Sequence, residues 1–340
     1  MLRHVISTAR HPRRRVRAGV LVAAFGLLAS TSGCGLLGSS DDAEGGGGDV
    51  EKAAIKVSIM PTTDLAPFHL AMKNGYFTEE GLDVQAVNAP SGQASLAKLI
   101  GGEVDIAYSS YTPFFVAHSK KAADIKFVAD ASSAGPRTTM VAAMPNSSVK
   151  GVKDLAGKRI AVTATNTISD VLVKSAMRAN GVDFSDVDWI STPFPEMAGA
   201  LERGDVDAAF LTEPFITLAA KSVGAVPVVD TATGPTEDLP TAGYGSLAKF
   251  ADGNPKTVGA FQRAMQKATD EAAADRSKVE PLLVEHGKID EDTAALTSLL
   301  TFQSELNAQR LQRVPDLLLE FGVIEQEMDA ATMIAKPSTA

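Results

Sequence analysis

Leu99-Ile100-Gly101-Gly102-Glu103-Val104-Asp105-Ile106-Ala107 returns 102 residues later as Leu201-Glu202-Arg203-Gly204-Asp205-Val206-Asp207-Ala208-Ala209. Leucine, glycine, valine, aspartate and alanine keep their places in both copies. The pattern describes a helix that stops on a glycine free to turn left-handed, followed by an aspartate that opens an apolar strand. On either side of the first copy, β-rich runs at 55–60, 83–87, 105–108 and 126–130 alternate with helical stretches at 67–74, 94–100 and 112–121. Around the second copy, strands at 159–162, 187–191, 208–211 and 225–229 alternate with helices at 169–180, 197–203 and 215–223. Strands separated by helices of about ten residues predict parallel βαβ units. Two such sets predict an α/β chain of two similar lobes, and from residue 254 onward the pattern reads as purely helical.

The chain has 340 residues, of which 45% are apolar and 21% charged, as in ordinary globular proteins. Its first 33 residues stand apart. They hold Arg3, Arg10, Arg13, Arg14, Arg15 and Arg17 with no acid, then an apolar run at 18–29. That combination predicts an export signal, and the run is shorter than the roughly 20 residues of a membrane span. Thr31-Ser32-Gly33-Cys34 follows, and it resembles the bacterial lipobox, whose cysteine is lipidated; Thr31 stands where that motif usually has Leu or Val. Residues 34–52, with four consecutive glycines at 45–48, read as a lipidated cysteine and a flexible leash. Losing residues 1–33 leaves 26 basic against 41 acidic groups, a net charge of −15. Such a balance argues against nucleic acid and against docking on anionic lipid. With Cys34 as the one cysteine, no intramolecular disulfide is available.

Pro67-Phe68-His69-Leu70-Ala71, Asn74-Gly75-Tyr76-Phe77 and Glu80-Gly81-Leu82-Asp83-Val84 stand in order ahead of the first copy of the repeat. Between the copies lies Val152-x-Asp154-Leu155-x-Gly157-Lys158-Arg159-Ile160-Ala161-Val162, and after the second comes Glu213-Pro214-Phe215. This ordered set resembles the ABC-importer substrate-binding proteins for nitrate, taurine, alkanesulfonates and thiamine-pyrimidine precursors. The resemblance implies a periplasmic-binding-protein-like (type II) α/β fold, two lobes joined by a two-crossing hinge. Lobe one is expected at 53–136 plus 241–338 and lobe two at 137–240, with hinges at 132–136 and 236–243. It further implies capture of a small polar or anionic solute and its delivery to an ABC permease and, through it, the ATPase. The expected place of work is outside the cytoplasm, anchored to the membrane by lipid on Cys34, as a monomer without nucleic acid, cofactor or metal. A two-lobed protein feeding a membrane sensor has the same sequence features.

Catalysis finds little footing. The histidines are His4, His11, His69, His118 and His286, with no His-x-x-His or His-Glu-x-x-His pair. Ser95-x-x-Lys98 and Ser246-x-x-Lys249 match a serine–lysine spacing but lack its partner motifs. The family includes an enzyme making the thiamine pyrimidine with a cysteine-rich iron site, and Cys34 leaves no cysteine for one.

In open α/β sheets ligands sit beyond the carboxyl ends of the strands, where helix starts point their N–H groups. That rule selects Thr62, Thr63 and Asp64 after the first strand, Ser91 and Gly92 after the second, and Ser109, Ser110 and Tyr111 after the third. In the second set it selects Thr165, Asn166, Thr167 and Glu213, with Arg137 beside the proposed hinge as a grip for an anion. The same hydroxyls and carboxylates also suit helix caps. The anchor is the part the sequence alone can put to trial. Cys34→Ala is expected to give a folded protein released from the membrane fraction, and retention there through detergent extraction would sink the lipid anchor.

Overall fold

The structure, a computed structural model, describes residues 50–336; the export signal, Cys34 and nearly all of the leash lie outside the described residues. Eleven strands form two sheets among those residues. The first contains β1 (Ala54–Ile59), β2 (Asp83–Asn88), β3 (Ile106–Ser110) and β4 (Ile125–Ser133). The second contains β5 (Thr139–Ala143), β6 (Arg159–Val162), β7 (Asp188–Ser191), β8 (Ala208–Thr212) and β9 (Val226–Asp230). β10 (Pro240–Leu247) and the two-residue β11 (Thr301–Phe302) return to the first. The strand orders are β11-β4-β10-β3-β1-β2 and β7-β6-β8-β5-β9.

Each sheet has the same plan. β1 pairs in parallel with β2 and β3, as β6 does with β7 and β8. β10 runs antiparallel between β3 and β4, and β5 runs antiparallel between β8 and β9. β5 follows the last strand of the first set, and β10 follows the last strand of the second. The two sheets therefore exchange one strand each, and the chain crosses between them at 134–138 and 231–239.

The repeat that opens the sequence has one geometry in both places. Gly102 and Gly204 take φ of 73° and 71°, conformations that a side chain disfavours. The next residue donates back into its helix in each case, Glu103 to the Lys98 carbonyl and Asp205 to the Ala200 carbonyl, both at 2.9 Å. The Asp105 N–H then donates to the Lys56 carbonyl at 2.9 Å, while its Oδ2 accepts from the Lys56 N–H at 3.0 Å. Asp207 does the same with Arg159, at 2.8 and 2.9 Å. Each aspartate thus fastens the third strand of its set to the first at the end where the strands begin.

The antiparallel strands depart from the sequence reading. β5 was not anticipated, and β10 occupies much of the segment expected as a hinge at 236–243; Ser132 and Ser133 belong to β4. The cause lies in Gly243 and Gly245. A Cβ on Gly243 would stand 2.3 Å from the Tyr111 hydroxyl oxygen, and one on Gly245 would stand 2.8 Å from the Phe114 ring. Both aromatics are fully buried on the helix Tyr111–Ser119. Glycine here makes room for rings rather than a bend, although in sequence it reads as a turn. Beyond residue 254 the helices Pro255–Ala274, Arg276–Gly287, Glu291–Leu296 and Ala308–Glu320 are interrupted by β11, so that stretch is not purely helical. Among the described residues no helix is long and apolar enough to cross a membrane.

An added methyl at Gly243 must displace Tyr111, so Gly243→Ala is expected to cost about 1–3 kcal/mol through overpacking. At Gly253 a new methyl meets nothing within 4 Å, and Gly253→Ala should stay within about 0.5 kcal/mol of the parent. Urea unfolding of the two variants makes the comparison; equal midpoints would refute the packing account of β10.

Candidate functional site

The carboxyl ends of the parallel strands in both sheets open on one cavity of about 260 Å³. From the first sheet it is lined by Met60, Thr62 and Asp64 after β1, and by Pro90, Ser91, Gly92 and Gln93 after β2. Tyr108 and Ser110 come from β3, Thr241 and Ala242 from β10, and Leu300 from just before β11. From the second sheet come Thr139 on β5, Thr163, Thr167 and Ile168 after β6, and Ser191, Pro193 and Phe194 around the end of β7. Phe210 and Thr212 on β8 complete it.

Local rules explain why several of these side chains are held. Ser91 caps the helix Gly92–Ile100, its Oγ accepting from the Ala94 N–H at 3.2 Å. Thr167 caps the helix Ile168–Ala179, accepting from the Ser169 N–H at 3.3 Å, while Asp170 accepts from the Thr167 N–H at 2.7 Å. This reciprocal arrangement is a capping box. Gly92 is required by its neighbour, since a Cβ there would lie 2.3 Å from the Ser109 Oγ.

Asp64 is the charged side chain of the wall. It is 5% exposed, and its Oδ2 accepts from the Ser132 hydroxyl at 2.9 Å. Its Oδ1 has no hydrogen-bond partner among the described residues. The Tyr108 and Tyr244 hydroxyls nearby are held well above the usual phenol range, first by burial and next by the Asp64 charge. A smaller pocket adjoins at Met60 and Thr62, lined also by Thr63, His69, Pro214 and His286. The two histidine rings stack there with centroids 3.7 Å apart. Burial, and then the His286 charge, push the His69 pKa down to about 3.

Of the residues picked from the sequence, Thr62, Asp64, Ser91, Gly92, Ser110 and Thr167 line the cavity. The others stand off it, each for a visible reason. Thr63 turns to the smaller pocket, and Ser109 is fully buried beneath Gly92. Tyr111 points into the core and donates to Asp130 Oδ1 at 2.7 Å. Arg137 is exposed at φ 63°, its N–H bound to Asp230 at 3.0 Å. Thr165 and Asn166 are exposed on the turn before the helix, where the Asn166 N–H donates to Asp170 at 3.0 Å. Glu213 is 3% exposed and accepts from the Thr217 N–H at 3.1 Å, the Thr217 hydroxyl at 3.0 Å and the Ser298 N–H at 3.3 Å. Burial raises its pKa against those bonds. Thr139, Thr241 and Ala242 escaped the sequence reading because they sit on the unread antiparallel strands. Tyr108 and Phe210 point inward from strands whose ends alone were considered.

Glu213 therefore ties the helix Phe215–Val223 to the segment before β11. Glu213→Ala leaves three donors without their acceptor and is expected to cost about 1–3 kcal/mol of stability. An unchanged urea midpoint would return the residue to the list of ligand contacts.

Comparison with known proteins fits this geometry. A Bacillus subtilis protein named for binding aliphatic sulfonates is 29% identical over 275 residues, spanning 77% of this chain and 78% of its own. The taurine-binding periplasmic protein of Escherichia coli is 27% identical over 212 residues, 62% of this chain and 64% of that protein. Among solved structures, the periplasmic aliphatic sulphonate-binding protein of Escherichia coli superposes with a TM-score of 0.70 at 19% identity, over 85% of this chain and 94% of that one. At that identity the likeness establishes the fold, that of the periplasmic binding proteins. The sequence profile described as "NMT1/THI5 like" matches residues 62–278, well over half of the chain, and the protein belongs to that family.

Proposed function

We propose that this chain is the extracytoplasmic solute-binding protein of an ABC importer, holding a small polar organic solute and handing it to the permease. One observation carries the reading: a single cavity receives the strand ends of two sheets between which the chain passes by two short crossings. A solute seated there meets residues of both sheets at once, so it favours whichever arrangement brings them together. The lobes are taken as 53–136 plus 241–338 and 137–240, hinged at the crossings. Matched relatives named as sulfonate- and taurine-binding proteins support binding over catalysis. Lipidation of Cys34 would hold the protein at the outer face of the membrane, with the leash giving it reach toward its permease.

Thermal unfolding against a panel of alkanesulfonates, taurine, nitrate and aminopyrimidines is the first test. A solute at a hundredfold excess over its Kd is expected to add about 2.7 kcal/mol of stability. Small-angle scattering with that solute should show a smaller radius of gyration. A panel without any stabilising compound, or binding with no contraction from an open unliganded form, would count against the hinged solute-binding reading.

A further inference from the structure

The wall of the cavity carries one formal charge, and it is negative. Asp64 supplies it, and no lysine, arginine or histidine lies among the lining residues. The basic side chains of the fold lie off this wall. Arg137 is exposed. Arg310 binds Asp130 at 3.0 Å and also bonds Gln303. His69 and His286 stack on one another in the smaller pocket.

The carboxylate is also short of partners. It is 95% buried and accepts the Ser132 hydroxyl; the Tyr108 hydroxyl also bears on it, but no donor among the described residues reaches Oδ1 in hydrogen-bond geometry. The Tyr244 hydroxyl next to it is unpartnered too. A carboxylate withdrawn from water and left so is costly unless a cation or several donors meet it. Elsewhere the wall offers the apolar side chains of Met60, Phe194, Phe210 and Leu300. Of the N–H groups at the helix starts, Ala94 and Ser169 are taken by Ser91 and Thr167, while those of Gly92, Gln93 and Ile168 are neutral donors that carry no formal charge to offset Asp64.

Resting on the solute-binding reading, we propose that the solute is a small organic cation: a protonated amine held by the Asp64 carboxylate, with an apolar body against those four side chains. An ammonium group supplies the charge-assisted donors that Oδ1 lacks. A purely anionic solute would instead bring a second negative charge beside Asp64 with no counter-cation on the wall.

Three compounds of nearly one shape separate the possibilities: 2-phenylethylamine, 2-phenylethanol and 2-phenylethanesulfonate, titrated calorimetrically into the purified protein at neutral pH. The amine is expected to bind at least tenfold more tightly than the other two, about 1.4 kcal/mol. Asp64→Asn keeps an acceptor for Ser132 and should bring the amine's preference over the alcohol below twofold. Sulfonate binding as tight as the amine, alcohol binding within twofold of it, or no binding of any of the three overturns the cation proposal. None of those results touches the solute-binding reading, which stands or falls on the wider panel and the contraction measurement. The comparison on the unaltered protein keeps its force even if Asp64→Asn fails to fold.

Discussion

β10 lies between β3 and β4 with no side chain at Gly243 or Gly245, and Tyr111 and Phe114 press onto the backbone those glycines leave bare. Without that close approach the helix Tyr111–Ser119 cannot lie on the sheet, and β3 and β4 lose the strand that satisfies their facing hydrogen-bonding groups. The same strand carries the chain home from the second sheet, as β5 carries it out. Strand exchange is thus both the join between the sheets and part of the cavity, since Thr139, Thr241 and Ala242 sit on the exchanged strands and line it. The parallel strands of each set then point their carboxyl ends at one place because each set is fastened to the other's crossing strand.

The parallel halves were legible in the sequence because each unit carries its own punctuation. A glycine at positive φ stops the helix, and Asp105 or Asp207 closes a two-bond clasp on the neighbouring strand. That grammar is local, so it survives in the residue order. The antiparallel strands obey a non-local rule. Gly243 and Gly245 answer to rings more than a hundred residues away, and nothing beside them in sequence announces it.

The site divides along the same line. Looking beyond strand ends finds the right loops, but neighbouring side chains there point different ways, alternating along β3 and turning by about a third of a circle per residue in the 3-10 turn Thr63–Leu65. Ser110 reaches the cavity while Ser109 is buried behind it, and Thr62 and Asp64 face inward while Thr63 turns to the smaller pocket. A one-residue error in register separates a cavity residue from a core residue, and composition does not fix that register. Arg137 and Asn166 add a second difficulty, since both adopt left-handed backbone that sequence assigns by default to glycine.

Two buried acids in this chain show what the fold does with a carboxylate it needs for itself. Asp130 receives the Tyr111 hydroxyl, the Ala131 N–H and the Arg310 guanidinium. Burial still pushes its pKa up to about 6, and those three partners work against that rise. The arrangement binds the helix Ala308–Glu320 to β4, and Asp130 is not among the residues lining the cavity. Asp64 is buried to the same degree yet meets only hydroxyls, that of Ser132 and the nearby one of Tyr108, and no cation, and it stands on the cavity wall. The shortage is not a general habit of the chain, because Asp130 a few strands away is fully furnished. A buried acid on the cavity wall with one oxygen outside hydrogen-bond geometry is the place where a donor carried by the solute adds most.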